Sequence, residues 1–267
     1  MKKVHYDEIV GIEAYALEKY QKSFPLHFHD YYVVGILLAG RRKLYCGETQ
    51  ILEKGDLNLF NPYQPHSCQS LENQEITYHA LNISKQAMTQ VVKEITGKKD
   101  LPYFSPVILR NNNVGELVEE LYQAILSKKS PLYREELMYL LIENLLAYTA
   151  EGYQNDPVEN VLLENVCHHL QQYYTEDIRL EDLVALTNLK KSSFIHQFTK
   201  NYGMTPYRYL LSIRIDKAKK LLAKQQSLSE VALMTNFSDQ SHFSNVFKSF
   251  IGLTPKQYQK MYLRSTE

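Results

Sequence analysis

Ten polar residues fall into two short runs with helical spacing. Lys191, Ser192, Ser193, His196 and Lys200 interleave with Phe194 and Phe198, and Gln240, Ser241, Ser244, Asn245 and Lys248 interleave with Phe243 and Phe247. Phenylalanines at i and i+4 mark a buried stripe. The opposite face then carries hydroxyls, amides, imidazole (with His242 in the second run) and ammonium groups. Such groups hydrogen-bond base edges in a major groove or hold phosphates. A plain solvated face has the same composition. What favours a reading face is that it occurs twice, each time on the second helix of a pair.

The pairs come from an internal repeat. Leu183-Val184-Ala185-Leu186-Thr187-Asn188-Leu189 matches Val231-Ala232-Leu233-Met234-Thr235-Asn236-Phe237 at an offset of 48. Beyond the turn the offset is 49: Phe194 pairs with Phe243, Phe198 with Phe247, Gly203 with Gly252, Thr205-Pro206 with Thr254-Pro255 and Tyr209 with Tyr258. A repeat of this kind implies one supersecondary unit built twice. In the first unit Glu181-Asp182 puts negative charge at a helix start, Leu183 and Leu186 face inward and Asn188 marks the turn. In the second, Ser229 is the expected cap of a helix ending near Thr235. Between the units, Pro206 to Lys224 reads as a connecting helix bearing Arg214, Lys217, Lys219, Lys220 and Lys224. Such a rod would let both reading helices address one side of a duplex, whose successive major-groove segments lie ~34 Å apart.

The elements upstream are of another kind. Over residues 1–95 short apolar runs recur between turn residues: Tyr32–Leu38, Lys43–Cys46, Thr49–Leu52 and Leu57–Phe60, punctuated by Gly40, Gly47, Gly55 and Asn61-Pro62. That pattern predicts strands of a sandwich or barrel. From residue 114 the period changes. Leu117, Val118, Leu121, Tyr122 and Ile125 predict one helix, and Pro131 opens another carrying Leu137, Leu140, Leu141, Leu145 and Leu146. The wide apolar face of the latter must pack on the strands or on a second copy. Gly152-Tyr153-Gln154-Asn155-Asp156-Pro157 reads as a linker. The formal net charge of zero divides into −4 over residues 1–156 and +4 over 157–267, as a sensor joined to a nucleic-acid-binding part could show. No apolar run is long enough to span a bilayer, and the basic start lacks the apolar core of a signal peptide. Three irregularly spaced cysteines suit a reducing compartment. A cytoplasmic protein is expected.

The stretch Phe237-Ser238-Asp239-Gln240-Ser241-His242-Phe243-Ser244-Asn245-Val246-Phe247-Lys248, with Gly252-Leu253-Thr254-Pro255-Lys256-Gln257-Tyr258 after it, resembles the signature of the AraC/XylS family of bacterial transcription regulators. The resemblance reaches back through Arg214–Ala218 to Leu180–Leu183. It implies two helix-turn-helix units joined by a long helix, with Ser192, Ser193 and His196 in the first recognition helix and Gln240, Ser241, Ser244 and Asn245 in the second. The family often has Arg where this chain has His196 and Asn245, Lys at Thr199 and Gly at Asn236. Losing Arg removes the commonest guanine contact, whereas Asn tolerates the left-handed turn. The N-terminal part, through Pro25–Tyr32, Gly40, Gly55-Asp56-Leu57 and Asn61–His66, is similar to the cupin-type sensor domain often joined to this module. It implies a β-barrel around a small-molecule effector.

The expected fold is therefore α+β and multidomain: a cupin-like effector-sensing domain over 1–105, a helical connector or dimerisation region over 106–152, and an all-α DNA-binding domain with two helix-turn-helix units over 158–267. His27, His29, Tyr31, Tyr45, His66 and Tyr78 are the expected effector contacts, with Tyr15 a further aromatic for the same cavity. Cupin enzymes commonly bind metal through two His on one strand, an acid soon after and a later His. Here His27 and His29 share a strand face by alternation, with His66 and Cys68 as remaining candidates, but Val33 and Val34 stand where the acid would fall. No metal and no cofactor is expected, and Cys46 with Cys68 is left as a redox option. The expected partners are double-stranded DNA and a small-molecule effector, with RNA polymerase and a second copy of the chain as options and no membrane. The alternatives are a metal-dependent cupin enzyme with a helical tail and an adaptor that no longer binds DNA. No nucleophile triad or phosphate-cradling glycine motif supports an enzyme.

Overall fold

The structure, a computed structural model, describes residues 2–71, 74–110, 113–150, 161–187 and 189–263, the side chains of Met261 and Leu263 excepted. The linker expected over Gly152–Pro157 and the turn expected at Asn188 lie outside the described residues. The chain divides into two compact units. One comprises residues 1–23, 30–151 and 260–267, and the other residues 24–29 and 152–259.

The first unit is built on β1 (Lys2–Asp7), β2 (Ile12–Tyr20), β4 (Tyr32–Ala39), β7 (Leu57–Phe60), β9 (Ile76–Ile83) and β10 (Ile108–Leu109), which form an antiparallel sheet in the order β1-β2-β9-β4-β7-β10. A second sheet contributes β8 (His66–Ser70), β5 (Arg42–Cys46) and β6 (Glu48–Leu52) in that order. Two antiparallel sheets of this kind have the character of a jelly roll. Central β4, Tyr-Val-Val-Gly-Ile-Leu-Leu-Ala, is apolar throughout because it is covered on both faces. One face of the large sheet, through Ile12, Ala14, Ala16, Val34, Leu59, Leu81 and Ile83, shares a core with α1 (Lys85–Thr96), α2 (Val114–Leu126) and α3 (Pro131–Leu146). The other face meets the second sheet, as Arg42 of β5 shows by reaching the Tyr20 carbonyl of β2.

The strand expectations for Tyr32–Phe60 hold to within a residue. α1 stands in a region whose pattern predicts strands. Ser84 caps it by accepting from the Ala87 N–H, and Gly97 ends it at φ 74. α3 opens at Pro131 behind the Ser130 cap, but its apolar face is narrower than the leucine pattern predicts: Leu137, Leu141 and Leu145 are buried while Leu140 is 40% exposed.

The second unit holds β3 (Phe24–His27) and the helices α4 (Val161–Gln172), α5 (Leu180–Ala185), α6 (Lys191–Tyr202), α7 (Pro206–Ala223), α8 (Leu228–Met234) and α9 (Gln240–Ile251), followed by α10 (Pro255–Leu263), which ends beyond it. The repeat is realised twice in detail. Gly203 and Gly252 end α6 and α9 in the left-handed conformation, at φ 68 and 73. Thr205 and Thr254 accept from the backbone N–H of Arg208 and Gln257 at the starts of α7 and α10. Phe194 packs on Phe198 and Phe198 on Tyr209, and Phe243 packs on Phe247 and Phe247 on Tyr258, with all four ring-centroid separations between 5.5 and 5.8 Å. All six rings are buried, and truncating any one of the phenylalanines removes on the order of 3–5 kcal/mol.

Candidate nucleic-acid interface and effector site

Burying Phe194 and Phe198 turns Lys191, Ser192, Ser193, His196 and Lys200 to solvent along α6. Burying Phe243 and Phe247 does the same for Gln240, Ser241, Asn245 and Lys248 along α9, with Ser244 half-buried. Lys191 pairs with Glu181 across the first helical pair, and the ammonium holds that carboxyl below its ordinary range. Both partners are exposed, and such a pair contributes little. Ser229 donates to the Gln240 amide oxygen at 2.8 Å. His242 is exposed on the outer face, as expected, with its Nδ1 3.1 Å from the Ser238 hydroxyl and its ring beside that of Phe237.

Two further expectations are corrected by local hydrogen bonding. The cap of α8 is Ser227, not Ser229. The Ser227 hydroxyl accepts from the Glu230 N–H at 3.3 Å, while the Glu230 carboxylate accepts from the Ser227 N–H at 3.1 Å, a reciprocal capping box. Ser229 sits inside the first turn. Leu186, expected inside, is 36% exposed; Thr187 takes the buried position and donates to the Val184 carbonyl at 3.0 Å, as Thr235 donates to that of Val231. Asn236 adopts φ 52, the left-handed conformation expected of it.

What fixes the helical pairs to the rod is a residue to which the repeat pattern assigns no role. Arg214 of α7 is 8% exposed. Its Nε donates to the Tyr174 carbonyl at 2.9 Å, Nη1 to that of Asn236 at 3.0 Å and Nη2 to that of Glu176 at 3.0 Å. One planar fork thus ties α7 to the turn before α9 and to the segment after α4. The spacing of arginine at a buried face of α7 was the available signal.

The effector candidates separate. Tyr15, Tyr78 and Cys68 are surrounded by protein, and burial pushes the phenols up and the thiol to about 11, yet each keeps accessible surface. Tyr31 is close enough to Tyr15 to perturb it. The Tyr78 hydroxyl occupies the space a side chain at Gly35 would need, since a Cβ there would lie 1.8 Å from it. It also lies near enough to the Asn58 side chain for that amide to lower its proton affinity against the effect of burial. His66 is buried, stacks on Phe60 at 3.8 Å and has Nδ1 2.8 Å from the Gln64 carbonyl. Tyr45 is a correction: strand alternation puts it outside with Lys43, 37% exposed. Arg42, Leu44 and Cys46 take the inner positions of β5 instead, with Arg42 1% exposed.

The shared strand expected for His27 and His29 is corrected. β3 ends at His27, so His29 is not on the strand, although the rings meet edge-on at 4.7 Å. Both lie in the segment 24–29 that packs within the second unit. There the His27 ring is 6.3 Å from that of Phe250, Phe28 is 4.4 Å from Tyr209, and the Arg208 Nε donates to the Leu26 carbonyl.

Residues 9–142 match the family model of the AraC-like ligand binding domain, and residues 183–261 match that of a helix-turn-helix domain. The chain belongs to the AraC family of transcription regulators. An uncharacterized HTH-type transcriptional regulator of Bacillus subtilis (strain 168), YbfI, is 38% identical over 239 residues, 88% of this chain and 87% of that one. The HTH-type transcriptional activator RhaS of an Enterobacter species is 24% identical over 251 residues, 90% of this chain and 89% of its own. Among solved structures, an apo single-residue variant of ToxT from Vibrio cholerae superposes with a TM-score of 0.61 at 18% identity, covering 94% of this chain and 97% of that one. A wild-type ToxT structure with a TM-score of 0.60 holds an unsaturated fatty acid. The AraC-family assignment makes this a DNA-binding regulator with an N-terminal ligand-binding domain. Its relatives are named as regulators of transcription, and no helix among the described residues is long and apolar enough to cross a membrane.

Proposed function

We propose that a small molecule held between the two sheets of the first unit controls how the second unit reads double-stranded DNA in the bacterial cytoplasm. The duplicated aromatic framework carries this reading, because it presents a solvent-facing polar helix twice. Ser192, Ser193 and His196 on α6 and Gln240, Ser241, Ser244 and Asn245 on α9 contact bases, and Lys191, Lys200 and Lys248 neutralise phosphates. Tyr15, Tyr31, Tyr78 and His66 contact the effector, whose differential affinity for two states of the protein sets the DNA-binding population. Leu132, Tyr133 and Leu140, exposed along α3, support a second copy of the chain as partner, and RNA polymerase is the partner through which a regulator acts.

The test is a competition gel shift on a selected operator and on random DNA. Asn245→Ala should cost about 1–3 kcal/mol on the operator and little on random DNA, while Lys248→Ala should weaken both alike and flatten the salt dependence. Equal losses on both DNAs from the two variants would overturn the assignment, and binding indifferent to salt would favour an adaptor.

A further inference from the structure

The interior of the first unit holds a cation with nothing among the described residues to balance it. Arg42 has five N–H donors, is 1% exposed, and makes one hydrogen bond, from Nη2 to the Tyr20 carbonyl at 3.3 Å. Its Nε and Nη1 have no partner among the described residues. The groups near enough to influence it are Cys68, Tyr20 and Tyr15, with no carboxylate among them. The neighbouring Ser70 Oγ, on the residue that pairs with Arg42 across β5 and β8, has no partner there either. Lys2 adds positive charge to the same place. It is 7% exposed, its ammonium lies 4.2 Å above the Tyr20 ring that Arg42 faces from 5.7 Å, and burial, then the charges of Lys22 and Arg42, lower its hold on its proton. Burying an unpaired charge is costly, and a like charge beside it adds to the cost. An arrangement of this kind persists where a ligand supplies the missing charge. Tyr15 is near enough to influence it, Tyr78 is near enough to influence Tyr15, and Leu44 shares its inward face of β5; such side chains suit the body of a ligand rather than a bare ion.

We propose that Arg42, with Lys2 beside it, is the anchor for an anionic effector: a small organic molecule whose carboxylate or phosphate group meets the Arg42 guanidinium and whose body lies against the interior tyrosines. This rests on the reading of the first unit as an effector domain and adds the chemical class of the effector and the residue that selects it.

Thermal unfolding of the full chain tests it, with benzoate, phenyl phosphate and the uncharged benzamide as probes at matched ionic strength. Benzoate or phenyl phosphate should raise the melting temperature saturably, benzamide should not, and which anion acts names the head group. Arg42→Gln should weaken the response at least tenfold in apparent Kd, and Arg42→Lys should retain part of it. Without any ligand, Arg42→Met should melt no lower than the natural protein, because it removes an unpaired charge. Benzamide acting as well as benzoate, an anion response that survives in Arg42→Gln, no response to either anion, or Arg42→Met and Arg42→Lys both melting far lower would each overturn the proposal. The effector reading fails separately. A neutral metabolite that stabilises the natural protein and Arg42→Gln alike and changes operator affinity would keep that reading and discard the anion, whereas an anion bound through Arg42 without effect on operator affinity would do the reverse.

Discussion

Arg214 in the second unit and Arg42 in the first are buried to a similar degree, 8% and 1% exposed, and their donors meet opposite fates. Arg214 gives all three nitrogens to backbone carbonyls at 2.9–3.0 Å. Arg42 gives one, at 3.3 Å, and leaves Nε and Nη1 without a partner among the described residues. Burial lowers the affinity of both guanidiniums for their protons, yet neither side chain deprotonates in a protein, so each charge must be met by something. For Arg214 that something is the fold: the side chain is a strut that sets the helical pairs on their rod. For Arg42 the fold supplies almost nothing, which is how a binding group differs from a structural one when both are arginines in a core.

The largest effect that would sharpen this contrast is expected from Arg214→Met. It orphans three carbonyls that now accept charged hydrogen bonds, each worth ~1.5–3 kcal/mol. The second unit should lose at least ~3 kcal/mol in chemical denaturation and operator binding with it, while Arg42→Met loses none. Similar losses from both would erase the distinction. A smaller effect belongs to Lys2, whose ammonium, pressed by burial and by Lys22 and Arg42, is brought down to about 7. The unfolded chain keeps its ordinary lysine near about 10.4, so between about 7 and 10 it binds the extra proton and stability rises with pH. The first unit should gain on the order of a few kcal/mol across that window, and Lys2→Met should abolish the rise. A flat pH profile in the natural protein would show that Lys2 keeps an ordinary hold on its proton in the folded chain.

Sequence made the second unit almost fully legible because its devices are local and duplicated. Aromatic spacing, Gly203 and Gly252 at helix ends and Thr-Pro at helix starts are each decided within a few residues, and each has a partner 48 or 49 positions away to confirm it. The interior of the first unit was less legible because it is non-local. Which residues face the interior depends on strand parity, and on β5 that parity turns Arg42 and Leu44 inward and Tyr45 outward. The alternation of Arg42, Leu44 and Cys46 was visible, but whether a buried arginine has partners depends on β2, 22 residues away in sequence at Tyr20. The surroundings of His27 are non-local in the same way, since its ring lies beside that of Phe250, at the far end of the chain.

The smallest effect probes how far the second unit is satisfied by itself. Ser227 and Ser229 lie two residues apart at the start of one short helix, yet Ser227 closes the capping box with Glu230 and Ser229 meets only the Gln240 side chain. Ser227→Ala should cost about 1 kcal/mol, as the Glu230 N–H loses its acceptor. The Glu230 carboxyl, which the Ser227 hydroxyl and N–H now hold below its ordinary range, should move up toward an ordinary glutamate. Ser229→Ala should leave stability within a few tenths of a kcal/mol, because an exposed hydroxyl–amide pair exchanges with water at little cost. Its effect, if the α9 face reads DNA, lies in freeing Gln240, so operator preference should shift where stability does not. Equal destabilisation by the two alanines would show that the helix start is not held by Ser227 in solution, and the tight local satisfaction that sets this unit apart from the Arg42 interior would lose one of its supports.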